Sequence, residues 1–206
     1  YHALNQFCAV DLSSLYVDIT KDRMYCDPAG SGRRRATQAA MREIFSSLAR
    51  LLAPILAFTA EEAWGYFRPG ESVHLQLFQA PREADTEALA EGARLLQLRG
   101  IVSHALEKAR ADKVITNNLE ASVTLRVADA EWLARWRDRV PELEEFFILS
   151  ELALEPGPAD EALVAPTASA KCARCWRHRG TVGVRAEHPE LCDRCADAVE
   201  AAPPSA

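Results

Sequence analysis

Long apolar runs are missing from this 206-residue chain, although 49% of its residues are hydrophobic. No stretch reaches the roughly 18–20 apolar residues that a membrane-crossing helix needs. A basic n-region followed by an apolar segment is also missing at Tyr1-His2-Ala3-Leu4, which excludes a secretory signal there. The chain lacks an initiating Met and begins inside a helical pattern, so we expect a piece of a longer protein. Excess positive charge is missing too. The net charge is −6, which argues against a general polyanion coat. There is no Walker-type phosphate loop, since Gly30-Ser-Gly32 is too short and runs into Arg33-Arg34-Arg35. No internal repeat and no nucleophile–base constellation is visible, which argues against a free-standing hydrolase.

What charge there is lies unevenly. Residues 1–70 carry 8 Lys and Arg against 7 Asp and Glu, residues 71–170 carry 10 against 18, and residues 171–206 carry 6 against 5. A polyanionic partner is therefore expected at the two ends.

The pattern is mainly helical with a small α+β part. Leu4, Phe7, Cys8, Leu12, Leu15 and Ile19 recur at three- and four-residue steps, and Gly30 and Gly32 end that helix. Met41, Ile44, Phe45, Leu48 and Leu52 mark a second helix ending near Pro54. Thr59-Ala-Glu-Glu62 reads as a capping box that starts a third, carrying Trp64 and stopping at Pro69-Gly70. These predict a helical bundle over 1–70.

An acidic α+β spacer is expected over 71–155. It has a helix from about Thr86 to Ala111 and a half-buried strand with Val123, Leu125 and Val127 on one face. A short helix with Trp132 and Trp136 in the core should be capped by Asp129 and ended by Pro141. A second strand is expected within Phe146–Leu154. Pro156, Gly157, Pro158 and Pro166 suggest a linker or loosely packed strand over 156–170, a zinc-binding module is expected over 171–200, and a disordered tail over 201–206.

The sharpest motif is the doubled knuckle Cys172-Ala-Arg-Cys175 and Cys192-Asp-Arg-Cys195, sixteen residues apart. That spacing falls in the zinc-ribbon range. Each C-x2-C turn places two thiolates on one side, and two turns close a tetrahedron around one Zn²⁺ with no open position, hence a structural ion. About 25 residues cannot build a core, so the metal must supply folding energy. His178 and His188 are possible substitute ligands, and disulfides or a redox pair are the alternative chemistry. Without a secretory signal, a cytosolic metal site is the better reading. Trp176 follows the first knuckle and either packs on the small core or offers a stacking face to an unpaired base. Cys8 should be packed, and Cys26, near the Asp27-Pro28 turn, partly exposed.

The chain resembles the C-terminal region of bacterial isoleucyl-tRNA synthetases. The resemblance is carried by Asp11-Leu-Ser-Ser-Leu-Tyr-Val-Asp-Ile-Thr-Lys-Asp-Arg-Met-Tyr25, by Leu52-Ala-Pro-Ile-Leu-Ala-Phe-Thr-Ala-Glu-Glu-Ala-Trp64 and by Ser72-Val-His-Leu75. It continues through Ala109-Arg-Ala-Asp-Lys-Val114 and Leu119-Glu-Ala121 to Lys171-Cys-Ala-Arg-Cys-Trp176 and the second knuckle, covering nearly the whole chain. The chain departs from the family at Ile115-Thr-Asn-Asn118, where a Gly usually follows Ile and a positive-φ turn is expected.

The resemblance implies an anticodon-binding helical domain followed by a zinc module. It also implies a parent that charges isoleucine tRNA in an ATP-dependent reaction. The parent's H-I-G-H and K-M-S-K-S signatures are not in this sequence, so no aminoacylation is expected from it alone. The implied partners are the anticodon stem-loop of isoleucine tRNA and the rest of the synthetase, in a cytoplasmic monomer without membrane or DNA contact. Candidate phosphate contacts are Arg33, Arg34, Arg35, Lys21 and Arg23, and candidate loop contacts are Trp176, Arg174, Arg177 and Arg194. Lys21-Asp22-Arg23 has the competing option of ion pairs with Asp11 or Asp18 as neighbours. Two other functional classes stay open. One is a protein-interaction zinc ribbon. The other is a DNA-binding finger of the formamidopyrimidine-glycosylase kind, which the upstream blocks do not resemble.

Overall fold

In the computed structural model, residues 1–81 and 83–201 are described, so most of the expected tail at 201–206 lies outside them. The chain divides into two compact units, Tyr1–Pro28 with Thr86–Ala206, and Ala29–Asp85.

The larger unit begins with one continuous helical rod. It comprises α1 (His2–Gln6), a π-wound stretch Phe7–Val17, and α2 (Asp18–Cys26). The rod groups with residues 86–206, whereas the sequence pattern suggests a single bundle over 1–70. Asp22 and Arg23 of α2 pair with Arg194 and Glu145, which lie on later elements of this unit.

The α+β part is laid out much as the pattern suggests. α5 (Thr86–Ala111) presents Leu98, Val102, Leu106 and Ala109 to the core. β1 (Ala121–Val127) alternates buried and half-buried residues along its length. It is the middle strand of three, parallel to β2 (Glu151–Pro156) and antiparallel to β3 (Glu161–Pro166). The parallel pair needs a crossover. It is built from α6 (Ala130–Trp136), a 3-10 turn and α7 (Val140–Phe147). Asp129 caps α6 as expected, accepting from the Trp132 amide at 2.9 Å. Pro141 starts α7 instead of merely ending α6, because its missing N–H costs nothing in a first turn. Phe146 and Phe147 therefore close a helix, and the strand begins only at Glu151.

Of the linker or strand expected over 156–170, the structure holds the strand β3. Its residues pair with β1 from Glu161 to Pro166, and Pro166 sits at the last register position, where no further ladder bond is needed. The positive φ expected just after Ile115 falls instead on Lys113 (59°), just past the end of α5. Thr116 and Asn117 instead donate to the Glu120 carboxylate.

In the smaller unit, α3 (Gly32–Leu52) starts at Ser31, whose hydroxyl accepts from the Arg34 amide. α4 (Ala57–Phe67) begins two residues before Thr59, so the expected capping box does not form. Glu61 accepts instead from the Ser72 hydroxyl and the Val73 amide, at 3.0 and 2.9 Å. A small core of Ala49, Ala53, Ala60, Trp64 and Val73 fills the space between α3, α4 and the turn Val73–Leu75. Alanines on α3 allow close approach, so Trp64 supplies most of the buried volume.

Trp132 and Trp136 stack in the larger core, and both indole N–H groups donate to the same Glu91 oxygen at 2.8 Å. Glu91→Ala strands two buried donors and should cost about 1–3 kcal/mol in urea unfolding. Glu91→Gln keeps an accepting oxygen and should cost less.

Candidate metal centre and the groove beside it

The module after Ala170 has little regular structure of its own apart from α8 (Asp193–Glu200). A bridge between Lys171 and His178 folds the first knuckle into a tight loop. Inside it the Trp176 amide donates to the Cys172 carbonyl at 2.9 Å. The second knuckle opens α8, where the Cys195 amide donates to the Cys192 carbonyl at 2.9 Å.

These two turns bring the sulfurs of Cys172, Cys175, Cys192 and Cys195 within 4.8 Å of one another. The Cys175 and Cys192 sulfurs are 3.9 Å apart. A disulfide requires about 2.05 Å, and all six cysteines are free thiols. A tetrahedron of Zn–S bonds near 2.3 Å has edges of about 3.8 Å, so the donor set fits Zn²⁺ without rearrangement. Three of the four cysteines are buried, and the ligand count leaves no coordination position for water or substrate.

The expected substitute ligands are engaged elsewhere. His178 Nδ1 lies 2.8 Å from the Ser169 carbonyl, and His188 Nε2 lies 3.5 Å from Glu200. The Cys192 amide and an Arg174 N–H lie against the sulfurs of Cys172 and Cys195 at 3.4 and 3.7 Å. Such donors help hold thiolate charge.

The finger is fastened on two sides. Arg194 grips Asp22 of α2 with two bonds, 2.6 and 2.8 Å, and the buried Arg177 stands 3.7 Å from the same carboxylate. Arg174 donates to the last carbonyls of α2, Cys26 at 2.5 Å and Tyr25 at 3.3 Å, as a C-terminal cap. Towards the sheet unit, Arg179 pairs with Glu144 of α7 at 2.7 Å and the His178 amide donates to Ser150 Oγ at 2.8 Å. A third clamp joins α2 to α7 directly, with Arg23 donating twice to the buried Glu145 at 2.7 Å. Burial raises the Asp22 carboxyl, but the Arg194 hydrogen bonds and the charges of Arg177 and Arg194 outweigh it and hold it below the usual range. A depressed folded value means this clamp is whole near neutrality and is lost in acid as pH falls through that value.

Residues 1–125 match the family described as "Anticodon-binding domain of tRNA ligase". The chain belongs to that family. Residues 170–198 match a second description, "Zinc finger found in FPG and IleRS". With the four clustered sulfurs, this makes Cys172, Cys175, Cys192 and Cys195 a structural zinc site. Curated relatives include the isoleucine–tRNA ligases of Stenotrophomonas maltophilia strains R551-3 and K279a. Each is 44% identical over 97% of this chain and 22% of its own length. The ligase of Xanthomonas axonopodis pv. citri is 43% identical over 96% of this chain and 22% of its own. The chain thus spans about a fifth of the length of the relatives it matches.

In this anticodon-binding-family chain, a cavity of about 380 Å³ lies where α2, α7 and the first knuckle meet. Trp176 lines it, 63% exposed, with the Lys171 ammonium 5.8 Å from its ring. The bland alternative, Trp176 packed on the finger's core, is not what the structure shows. Trp176 has φ +64° and Ile148, on the same cavity, φ +58°. Positive φ is costly for a bulky or β-branched residue, and such strain gathers where function fixes a side chain. Tyr25 also lines the cavity and is exposed.

The structure distributes the remaining sequence candidates. Lys21 is exposed and pairs with Asp18 at 2.6 Å. Arg23, Arg174, Arg177 and Arg194 are the clamps just described. Arg33, Arg34 and Arg35 lie in the first turn of α3, in the smaller unit, with Arg33 and Arg35 exposed. Cys26 is buried, with its sulfur 4.0 Å from the Arg174 carbonyl, which corrects the exposure expected of it, while Cys8 is only half-buried. Sequence reasoning missed Tyr25, Ile148, Glu144 and Glu145. The available signal was the adjacent acid pair at 144–145 on a helix whose other face is apolar.

One zinc per chain is expected by elemental analysis. Cys192→Ser should lose it and unfold residues 170–200, as read by hydrogen exchange, while α3 and α4 stay folded. Unchanged zinc content in that variant contradicts the four-cysteine site. Because binding displaces thiol protons, apparent zinc affinity should fall as pH is lowered.

Proposed function

We propose that the chain is the tRNA-holding part of an isoleucine–tRNA ligase. It grips the anticodon stem-loop of isoleucine tRNA while the remainder of the ligase performs ATP-dependent aminoacylation in the cytoplasm. The observation that carries this reading is Trp176. It is an exposed indole on a left-handed backbone position, set by a zinc knuckle at the mouth of a cavity. An anticodon loop offers unstacked bases with two open faces, and an indole held against rotation binds such a face with little entropy left to lose.

On this reading the arginines divide by role. Arg174, Arg177, Arg194 and Arg23 support the platform, since their guanidinium groups are bound to carboxylates or helix carbonyls. Lys21, Arg33, Arg34 and Arg35 contribute backbone phosphate contacts, which position the RNA without reading it. Among the described residues no helix is long and apolar enough to cross a membrane. The family match to an anticodon-binding domain favours RNA over a purely protein-binding zinc ribbon.

The test is a binding titration of the zinc-loaded chain with isoleucine tRNA and with the same tRNA bearing an altered anticodon. Trp176→Ala should weaken the first by about 1–3 kcal/mol. Trp176→Gly should weaken it equally, although glycine relieves the positive-φ strain. Binding in both variants equal to the parent chain contradicts the stacking role.

A further inference from the structure

The smaller unit contains a second cavity, of about 320 Å³, beside the C-terminal end of α4. Its lining is unusual in charge. Arg42 and Arg50 lie on one stripe of α3, eight residues apart, and Arg68 follows α4. Among the described residues the only acid on the lining is Glu43, so these side chains carry an excess of two positive charges. None of the three arginines appears in an ion pair among the described residues, in contrast to Arg23, Arg94, Arg179 and Arg194 of the larger unit.

Each guanidinium is nevertheless fixed. Arg42 and Arg68 lie over the same ring, that of Phe67, at 5.4 and 5.5 Å. Arg50 lies over the Trp64 ring at 5.0 Å and bonds Ser46 through one terminal nitrogen. Cation–π stacking orients a guanidinium without neutralising it or consuming its in-plane donors. The same place also leaves donors unmet. Arg50 Nε is buried with no acceptor, and so is the indole N–H of the stacked Trp64. Buried donors are normally paired, so a cluster of cations and orphaned N–H groups marks a place for an anionic acceptor.

We infer that Arg42, Arg50 and Arg68 form a site for an RNA backbone phosphate. The inference rests on the tRNA-holding function proposed above and adds a contact remote in sequence from the zinc finger and separate from Arg33-Arg34-Arg35 at the start of α3. A phosphate there meets several preoriented forks at once, and the aromatic rings beneath limit the motion it must arrest. The contact carries no base information, so it strengthens binding to any tRNA of the right shape.

The experiment uses the whole zinc-loaded chain and isoleucine tRNA, natural and with altered anticodon, titrated across potassium chloride. Arg42→Gln and Arg68→Gln, both at exposed positions, should each lower the slope of log affinity against log salt by up to about one, for both tRNAs alike. The triple variant with Arg50→Gln should lower it further, and a matching triple Lys variant should restore most of the slope. Trp176→Ala should reduce affinity while leaving the slope unchanged. Parent-like slopes in the two single variants, with the parent chain binding tRNA in a salt-dependent way, overturn the phosphate site and leave the tRNA-holding function standing. Absence of tRNA binding by the parent chain at low salt overturns both.

Discussion

Four thiolates within 4.8 Å of one another cannot coexist unless a cation lies among them. That constraint governs the finger at the C-terminal end of this protein. The finger has almost no apolar core of its own beyond the cysteines, Val182 and Leu191. Its order depends on the ion, whose binding free energy in such modules is on the order of 10 kcal/mol. Everything the finger touches inherits that dependence. Arg174 caps α2, Arg194 and Arg177 hold Asp22, and Arg179 holds Glu144. With Arg23 on Glu145, three arginine–carboxylate clamps join α2, α7 and the finger pairwise into a closed triangle.

Clamps of this kind add little net stability, because removing charges from water costs nearly what their attraction returns. Their contribution is geometric. Bidentate forks, as at Arg23 and Arg194, fix direction as well as distance, and the cavity is walled by residues of α2, α7 and the finger. Two residues with left-handed backbone, Trp176 and Ile148, are tolerated on those walls. The strain is offset by the surrounding bonds, and the result is an indole held outward instead of collapsed onto the metal core.

The sequence exposes the local chemistry well and the long-range chemistry poorly. The knuckle spacing names all four zinc ligands, and the alternation at Val123, Leu125 and Val127 names the central strand. Asp129 is recognisable as a cap because its partner is three residues away. By contrast Arg23, Arg177 and Arg194 read as candidate RNA contacts, since their carboxylate partners lie 122 to 172 residues away. The prolines of 156–166 resemble a linker, yet β3 tolerates Pro166 because a strand end needs no further ladder bond. Thr59 resembles a cap because the pattern Thr-x-x-Glu is local, but α4 already begins at Ala57, which puts Thr59 inside the helix. Apart from Thr59, each miss is a case of tertiary pairing overriding a local preference.

The claim at the centre is that zinc in the finger sets the end of a helix nearly 150 residues earlier in the chain. Hydrogen exchange of the full chain with and without bound zinc tests it most directly. Removal of the metal should raise exchange across 170–200 and, in step, across the last turn of α2 from Asp22 to Cys26, while α3 and α4 keep their protection. Loss of protection in the finger with the end of α2 unchanged would contradict the account.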